Sequence, residues 1–246
     1  MYNKKYCCSD SRFMAFLLTI LLFTSQASGQ RFYSKLKDYC GSVEKEFEKI
    51  PGERQEALKT LGEYVMEAES KYDAVKLLFV CNQNSRRSQF AQVWAQTASY
   101  YYNIKNIKTF SGGIHETSIN YRILESLKRA GFNVTVGEAY SENPVYLVSV
   151  GLRINDLFIF SKKYDYWNNP DDQYATVLCS RDLDTSDLIF PGSEKVLTLH
   201  YDNIDIYDNS PGSTLKNDEI CRQIAREMMF LMDYVKKTRK ARKKRK

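Results

Sequence analysis

Histidine is scarce in this chain: there are two, His115 and His200, among 246 residues. Of the six cysteines, no two form a Cys-x2-Cys pair. A structural zinc site needs clustered thiolate and imidazole donors, so this pattern argues against one, and no metal or other cofactor is expected. Cys40, Cys81, Cys179 and Cys221 are spread too widely to form the disulfide framework of a small secreted domain. No apolar run reaches the ~20 residues that span a bilayer, and no internal repeat is visible. An excess of positive charge is missing from the body of the chain. The net charge is +6, but much of it lies in Lys236-Lys237-Thr238-Arg239-Lys240-Ala241-Arg242-Lys243-Lys244-Arg245-Lys246. Without that tail the balance is near neutral, which excludes charge-driven nucleic-acid binding by the main domain.

What is present begins with a leader-like segment. Lys4, Lys5 and Arg12 precede the apolar run Phe13–Phe23, and the small residues Ala27-Ser28-Gly29 follow before Gln30. A short apolar core of this kind reads as a signal peptide over 1–29, with export to the periplasm or exterior and a membrane contact only if the segment is retained. Residues 30–73 read as a helical extension. Phe32, Leu36, Tyr39 and Val43 share one helical face, Pro51-Gly52 breaks the run, and Ala57, Leu58, Leu61, Val65 and Met66 make a second stripe. Packing on the main domain and an independent partner-binding arm are both compatible with these stripes. Residues 236–246 read as a solvated basic tail at a frayed helix end, although such a tail is also of the type that binds nucleic acid or anionic lipid.

Between them, residues 74–235 alternate strand and helix. The spacing predicts strands at 75–80, 107–113, 145–150, 157–160, 174–179 and 195–200. It predicts helices at about 88–103 and 120–130, the latter stopped by Gly131, and a closing helix marked by Ile220, Ile224, Met228, Met232 and Val235. Alternation of this type implies a parallel sheet with helices on both faces, and ligands then bind beyond the carboxyl ends of the strands. Cys81, Cys179 and the stretch from Asp202 to Asp208 are expected at such ends.

The densest chemistry lies in Val75-Lys76-Leu77-Leu78-Phe79-Val80-Cys81-Asn82-Gln83-Asn84-Ser85-Arg86-Arg87-Ser88. A buried strand runs into a polar loop and then into a helix whose apolar positions are Phe90, Val93 and Trp94. Backbone N–H groups and the helix dipole converge at such a junction and favour an anion. Arg87, six residues after Cys81, brings a forked cation suited to phosphate-like oxyanions, and a thiol in this setting serves as a nucleophile.

The stretch Phe79–Gln89 resembles the phosphate-binding loop of the low-molecular-weight protein tyrosine phosphatase superfamily, which also contains thioredoxin-coupled arsenate reductases. Thr109-Phe110-Ser111-Gly112-Gly113 is similar to that superfamily's second-strand motif, and the helix Tyr121–Gly131 matches as well. The resemblance covers roughly residues 74–235. It implies a flavodoxin-like four-stranded parallel sheet. It also implies that Cys81 attacks phosphorus and that Arg87 clamps the phosphoryl oxygens. Ser88 would donate to the sulfur, and Asn84 would hold the loop's left-handed turn. The remaining loop residues Asn82, Gln83, Ser85 and Arg86 would offer backbone amides. Gln83 stands where Gly or His is usual. The family's Asp-Pro general acid is absent, leaving Asp202 and Asp205 as candidates, with Asp202 slightly ahead. Of the two further cysteines in the arsenate reductase relay, Cys179 matches the first, whereas Ser186 stands at the second.

Three functions remain in play from these residues. The first is hydrolysis of phosphotyrosine or small aryl phosphates, with Tyr164, Tyr166 and Trp167 as a possible aryl wall. The second is arsenate reduction by Cys81 with Cys179, and the third is oxyanion or phosphoprotein binding without turnover. The expected partner is accordingly a phosphorylated protein or a small oxyanion.

Overall fold

The computed structural model describes residues 31–137, 141–183 and 188–244. The leader-like segment and Ser186 lie outside the described residues. In chain order the elements are β1 (Arg31–Phe32), α1 (Ser34–Glu44), α2 (Gly52–Lys71), β2 (Val75–Cys81), α3 (Arg87–Tyr101), β3 (Ile107–Gly113) and α4 (Tyr121–Ala130). Next come β4 (Asn133–Val136), β5 (Tyr146–Ser149), β6 (Gly151–Leu152) and β7 (Leu157–Ile159), and then β8 (Tyr174–Leu178), β9 (Ser193–Thr198) and α5 (Ser213–Lys244).

The main sheet has four parallel strands in the order β3-β2-β8-β9. The strand carrying Cys81 is therefore central, and the pleat sends its side chains alternately to two cores. Val75, Leu77, Phe79 and Cys81 join one cluster with α1, α2, α3, α4 and α5. Leu78 and Val80 join a smaller one with Tyr174, Leu178, Leu183 and Phe190. The flavodoxin-like α/β architecture is met. Cover on the second face, among the described residues, comes from the 3-10 turn Arg181–Leu183 and from loop side chains such as Phe190 and Tyr164.

Two of the expected strands go elsewhere. Tyr146–Ser149 and Leu157–Ile159 pair with Asn133–Val136 in a separate antiparallel sheet, β4-β5-β7. Short connections permit antiparallel pairing, whereas a parallel crossover needs a dozen or more residues, usually a helix, so only strands separated by long crossovers enter the main sheet. Helix α4 is capped by the Asn120 side chain, which accepts from the Arg122 amide, and ends at Gly131 with φ 110°. A Cβ at Gly131 would lie 2.5 Å from the Leu36 backbone nitrogen, so glycine lets α1 approach this helix end.

The two N-terminal helices are part of the core. Leu36, Cys40 and Val43 from α1, and Leu58, Leu61 and Val65 from α2, are fully buried. Each large apolar side chain among them contributes roughly 1.5–3 kcal/mol. The last helix is longer than its apolar stripe: Val235 is its last buried residue, yet regular helix continues to Lys244. Ion pairs from Arg239 to Glu69 and from Arg242 to Glu63 hold this end along α2 in place of the expected fraying. Among the described residues, no helix is long and apolar enough to cross a membrane.

Candidate active site

The loop between β2 and α3 is held in shape from outside. The carbonyls of Cys81 and Asn82 accept from the amides of Ile114 and His115, and that of Ser85 accepts from the Asn120 amide. The Gln83 carbonyl accepts from the Ser161 hydroxyl at 3.0 Å and the Asn84 carbonyl from Gln89 Nε2 at 3.0 Å. In a trans peptide the N–H opposes the C=O. Five carbonyls engaged outward therefore turn the amides of residues 82–86 toward the interior of the loop, an anion cradle next to the α3 dipole. Asn82 N also meets the Ser180 hydroxyl, at a long 3.4 Å.

Asn84 is the keystone of this shape. It is fully buried, with φ 50°, a left-handed conformation that asparagine tolerates better than most residues. Its side-chain oxygen accepts from the Lys162 amide at 2.9 Å, and its Nδ2 donates to Ser88 Oγ at 2.8 Å. Ser88 Oγ lies 2.9 Å from Cys81 Sγ. That hydroxyl accepts from Asn84 and keeps a second acceptor site and its own proton, so it can accept from a Cys81 thiol or donate to its thiolate. Gly113 closes the back of the loop: a Cβ there would lie 2.8 Å from Asn84 N and 2.5 Å from the His115 carbonyl oxygen. Its neighbour Gly112 answers a different contact: a Cβ there would lie 2.4 Å from the Tyr164 Cα. Asn84→Ala removes the residue that tolerates the left-handed turn and the side-chain bonds to Lys162, Ser88 and Gln89. It is expected to cost about 2–4 kcal/mol of stability and to lower turnover, as read by chemical denaturation and steady-state kinetics.

A cavity of about 130 Å³ opens over the loop, lined by Cys81, Asn82, Gln83, Ser85, Arg86, Arg87, Asn203 and Asp205. Arg87 is buried, and its Nη1 lies 3.4 Å from the Tyr201 carbonyl. The guanidinium of Arg86 is taken up by carboxylate and amide partners at the cavity rim. Its Nε is 2.8 Å from Asp205 Oδ1, its Nη2 pairs with Asp208, and its Nη1 meets Asn217 Oδ1 at 3.4 Å. Asp208 is also bonded through its carbonyl to Arg122 Nη2 at 2.6 Å. Arg86 thus fastens the segment after β9 onto the loop, with the 3-10 turn Asp205–Tyr207 at the rim. Of the two candidate acids, Asp205 lines the cavity and Asp202 is not among its lining residues.

Behind Arg87 lies a buried polar cluster that the sequence did not announce. Glu227 of α5 accepts from Arg54 Nε at 2.8 Å and Nη2 at 2.7 Å, and from the Tyr201 hydroxyl at 2.8 Å. Arg54 also donates to the His200 carbonyl at 2.9 Å and stacks 5.1 Å from the Tyr201 ring centroid. Burial, and then the Glu227 carboxylate, push the Tyr201 hydroxyl well above its ordinary range, so it remains a donor.

Cys179 follows β8, beside Cys81 in the sheet: Val80 pairs with Leu178, and the Cys179 amide donates to the Val80 carbonyl at 2.7 Å. The two cysteines share a face of the sheet. Burial first, and then the neighbouring Cys81, push the Cys179 thiol well above its ordinary range. Lys162, beside Asn84 in the network, is 3% exposed, and desolvation lowers its ammonium to about 8. The aromatic residues expected as a wall do not line the oxyanion cavity. Tyr164, Tyr166 and Trp167 border a separate cavity of about 260 Å³ with Asn169, Pro170, Tyr174 and Pro191, and Trp167 is 83% exposed.

Fold and site together define a flavodoxin-like α/β protein with a Cys-x5-Arg loop at the end of its central strand. Among solved structures, the chain is similar to a low molecular weight protein tyrosine phosphatase from Bacillus subtilis, at 15% identity over 67% of this chain and 99% of that one, with a TM-score of 0.44. It is similar to a protein tyrosine phosphatase from Entamoeba histolytica, at 15% identity over 68% and 99% of the two chains, with a TM-score of 0.41. It is also similar to a thioredoxin-dependent arsenate reductase from Corynebacterium glutamicum, at 18% identity over 93% and 98% of the chains, with a TM-score of 0.41. No family model and no curated protein matches.

Proposed function

We propose that the protein is a phosphomonoesterase acting on phosphotyrosine or small aryl phosphates through a phosphocysteine. The observation carrying this reading is Cys81 in a small cavity that also receives Arg87 and Asp205. The Cys81 thiolate attacks phosphorus as the P–O bond to the aryl oxygen breaks, and Asp205 is the group placed to protonate that oxygen. Water then attacks phosphorus, the P–S bond breaks, Asp205 accepts the water proton and phosphate leaves. The loop amides and Arg87 stabilise the equatorial oxygens throughout. Export of this enzyme is supported by the leader-like residues at its N-terminus.

The test is hydrolysis of p-nitrophenyl phosphate. Cys81→Ser should abolish turnover. Asp205→Asn should lower kcat by about 10²-fold or more, and Asp202→Asn should leave it within about twofold. Turnover that survives Cys81→Ser sinks the mechanism. Phosphate binding by the wild type with no release of phenol across pH 5–7 transfers the reading to a non-catalytic binder.

The adjacency of Cys81 and Cys179 favours arsenate reduction as a second reading. Arsenate would condense on Cys81 with loss of water. A Cys81–Cys179 disulfide would then form as arsenic takes two electrons and leaves as arsenite, and an external dithiol would reduce the disulfide. In a thioredoxin-linked assay this reading requires Cys179→Ala to abolish arsenate turnover. Equal rates for the variant and the wild type eliminate the relay. Hydrolysis of aryl phosphate should be nearly unaffected by the same change.

A further inference from the structure

We propose that the pole of the molecule opposite the oxyanion loop is a membrane-facing surface, where Lys236, Lys240, Lys243 and Lys244 bind the headgroups of anionic lipid. These residues recur at i, i+4, i+7 and i+8, a single face of α5. The arginines of the same stretch point the other way. Arg239 pairs with Glu69 at 2.5 Å and Arg242 with Glu63 at 2.7 Å, both on α2. The arginines therefore brace the helix end against the body and leave the lysine face outward. Lys236, Lys240, Lys243 and Lys244 are exposed, and among the described residues none of them forms an ion pair with a carboxylate, while Lys237 is paired to Asp233 at 2.6 Å.

The surroundings select lipid over nucleic acid. Lys236 Nζ lies 5.3 Å over the Tyr102 ring, Tyr102 lies 5.1 Å from Tyr101, and Tyr101 lies 6.0 Å from Phe32 of β1. The lysine face thus adjoins the buried Tyr102 and the half-buried Tyr101, beside the point where the chain enters the fold at β1 after the apolar run Phe13–Phe23. Leu152, the cross-strand partner of Arg31, is 60% exposed there. Lysine charges beside amphipathic rings and an exposed leucine suit a lipid interface. Forked arginine contacts, the commoner means of reading nucleic acid, are already occupied by glutamates. The 15-residue α3 separates the oxyanion loop from Tyr101, about 22 Å at 1.5 Å per residue. A molecule bound by this pole presents its cavity to solvent.

The full-length chain should be floated with vesicles of phosphatidylcholine alone and of phosphatidylcholine mixed with phosphatidylserine. The affinity for mixed vesicles should exceed that for neutral ones by at least about tenfold at low salt and decline as salt is added. Replacing all four residues (Lys236→Gln, Lys240→Gln, Lys243→Gln, Lys244→Gln) should remove that difference. Helix content and aryl phosphate turnover should be unchanged, and the corresponding four-fold Lys→Arg variant should keep the difference. Equal affinity for the two vesicle types overturns the proposal. So does a preference that persists in the Gln variant, or tighter binding to a DNA duplex than to mixed vesicles.

Discussion

Arg87→Ala is expected to lower kcat for aryl phosphate hydrolysis by about a thousandfold or more, the scale at which a single arginine stabilises phosphoryl transfer. The guanidinium is buried at the mouth of α3, beside the Tyr201 carbonyl, so its charge acts in a setting of low dielectric with its direction fixed. Lysine is not an adequate replacement. Its point charge cannot grip two equatorial oxygens at once, and Arg87→Lys should recover little of the loss. Single-turnover measurement of phenol release isolates the chemical step, while intrinsic stability should change far less than kcat. A decrease below about tenfold would mean that the backbone amides bind the oxyanion unaided and that Arg87 is structural.

The largest stability effect is expected at Glu227, some distance from the chemistry. This carboxylate is 1% exposed and holds Arg54 in a two-point grip while accepting from Tyr201. Glu227→Ala would leave a largely buried guanidinium and a buried hydroxyl without their acceptor. Removing one partner of a buried pair costs about 3–5 kcal/mol, and the lower figure applies because the Arg54 side chain keeps 21% exposure. In a chain of this size, about 3 kcal/mol corresponds to a fall of roughly 6–12 °C in Tm. The double variant Arg54→Met with Glu227→Met should recover much of that fall, since apolar residues of similar volume replace a buried pair at little cost. Thermal denaturation of the wild type and the two variants decides the matter. Equal Tm values for wild type and Glu227→Ala would show that the cluster contributes nothing net.

The local parts of this molecule were legible before any coordinates. The strand, loop and helix around Cys81 follow from composition and spacing alone, and so do the break at Pro51-Gly52 and the stop at Gly131. Each depends on residues a few positions apart. The errors have a common origin in contacts between distant positions. Pairing of β5 and β7 with β4, rather than with the main sheet, depends on connection length as well as strand propensity. The choice between Asp202 and Asp205 turns on Arg86, more than a hundred residues earlier, and nothing in the stretch from Asp202 to Asp208 distinguishes the two carboxylates. The Arg54–Glu227 pair joins residues 173 positions apart, which no window along the chain detects. The basic tail looked frayed because the acceptors that hold it, Glu63 and Glu69, belong to the second helix.

The way the oxyanion loop is held also orders events in time. A ribosome delivers Cys81, its loop and Arg87 early, when the chain is about one third made. The supports arrive later and in sequence: His115 and Asn120, then Ser161 and Lys162, then Tyr201, and at last Asp208, Asn217 and Glu227. A nascent chain therefore carries Cys81 through most of synthesis without the distant residues that brace its loop. The last of these braces, Asn217 and Glu227, belong to α5, so the full set of supports is complete only when that helix docks.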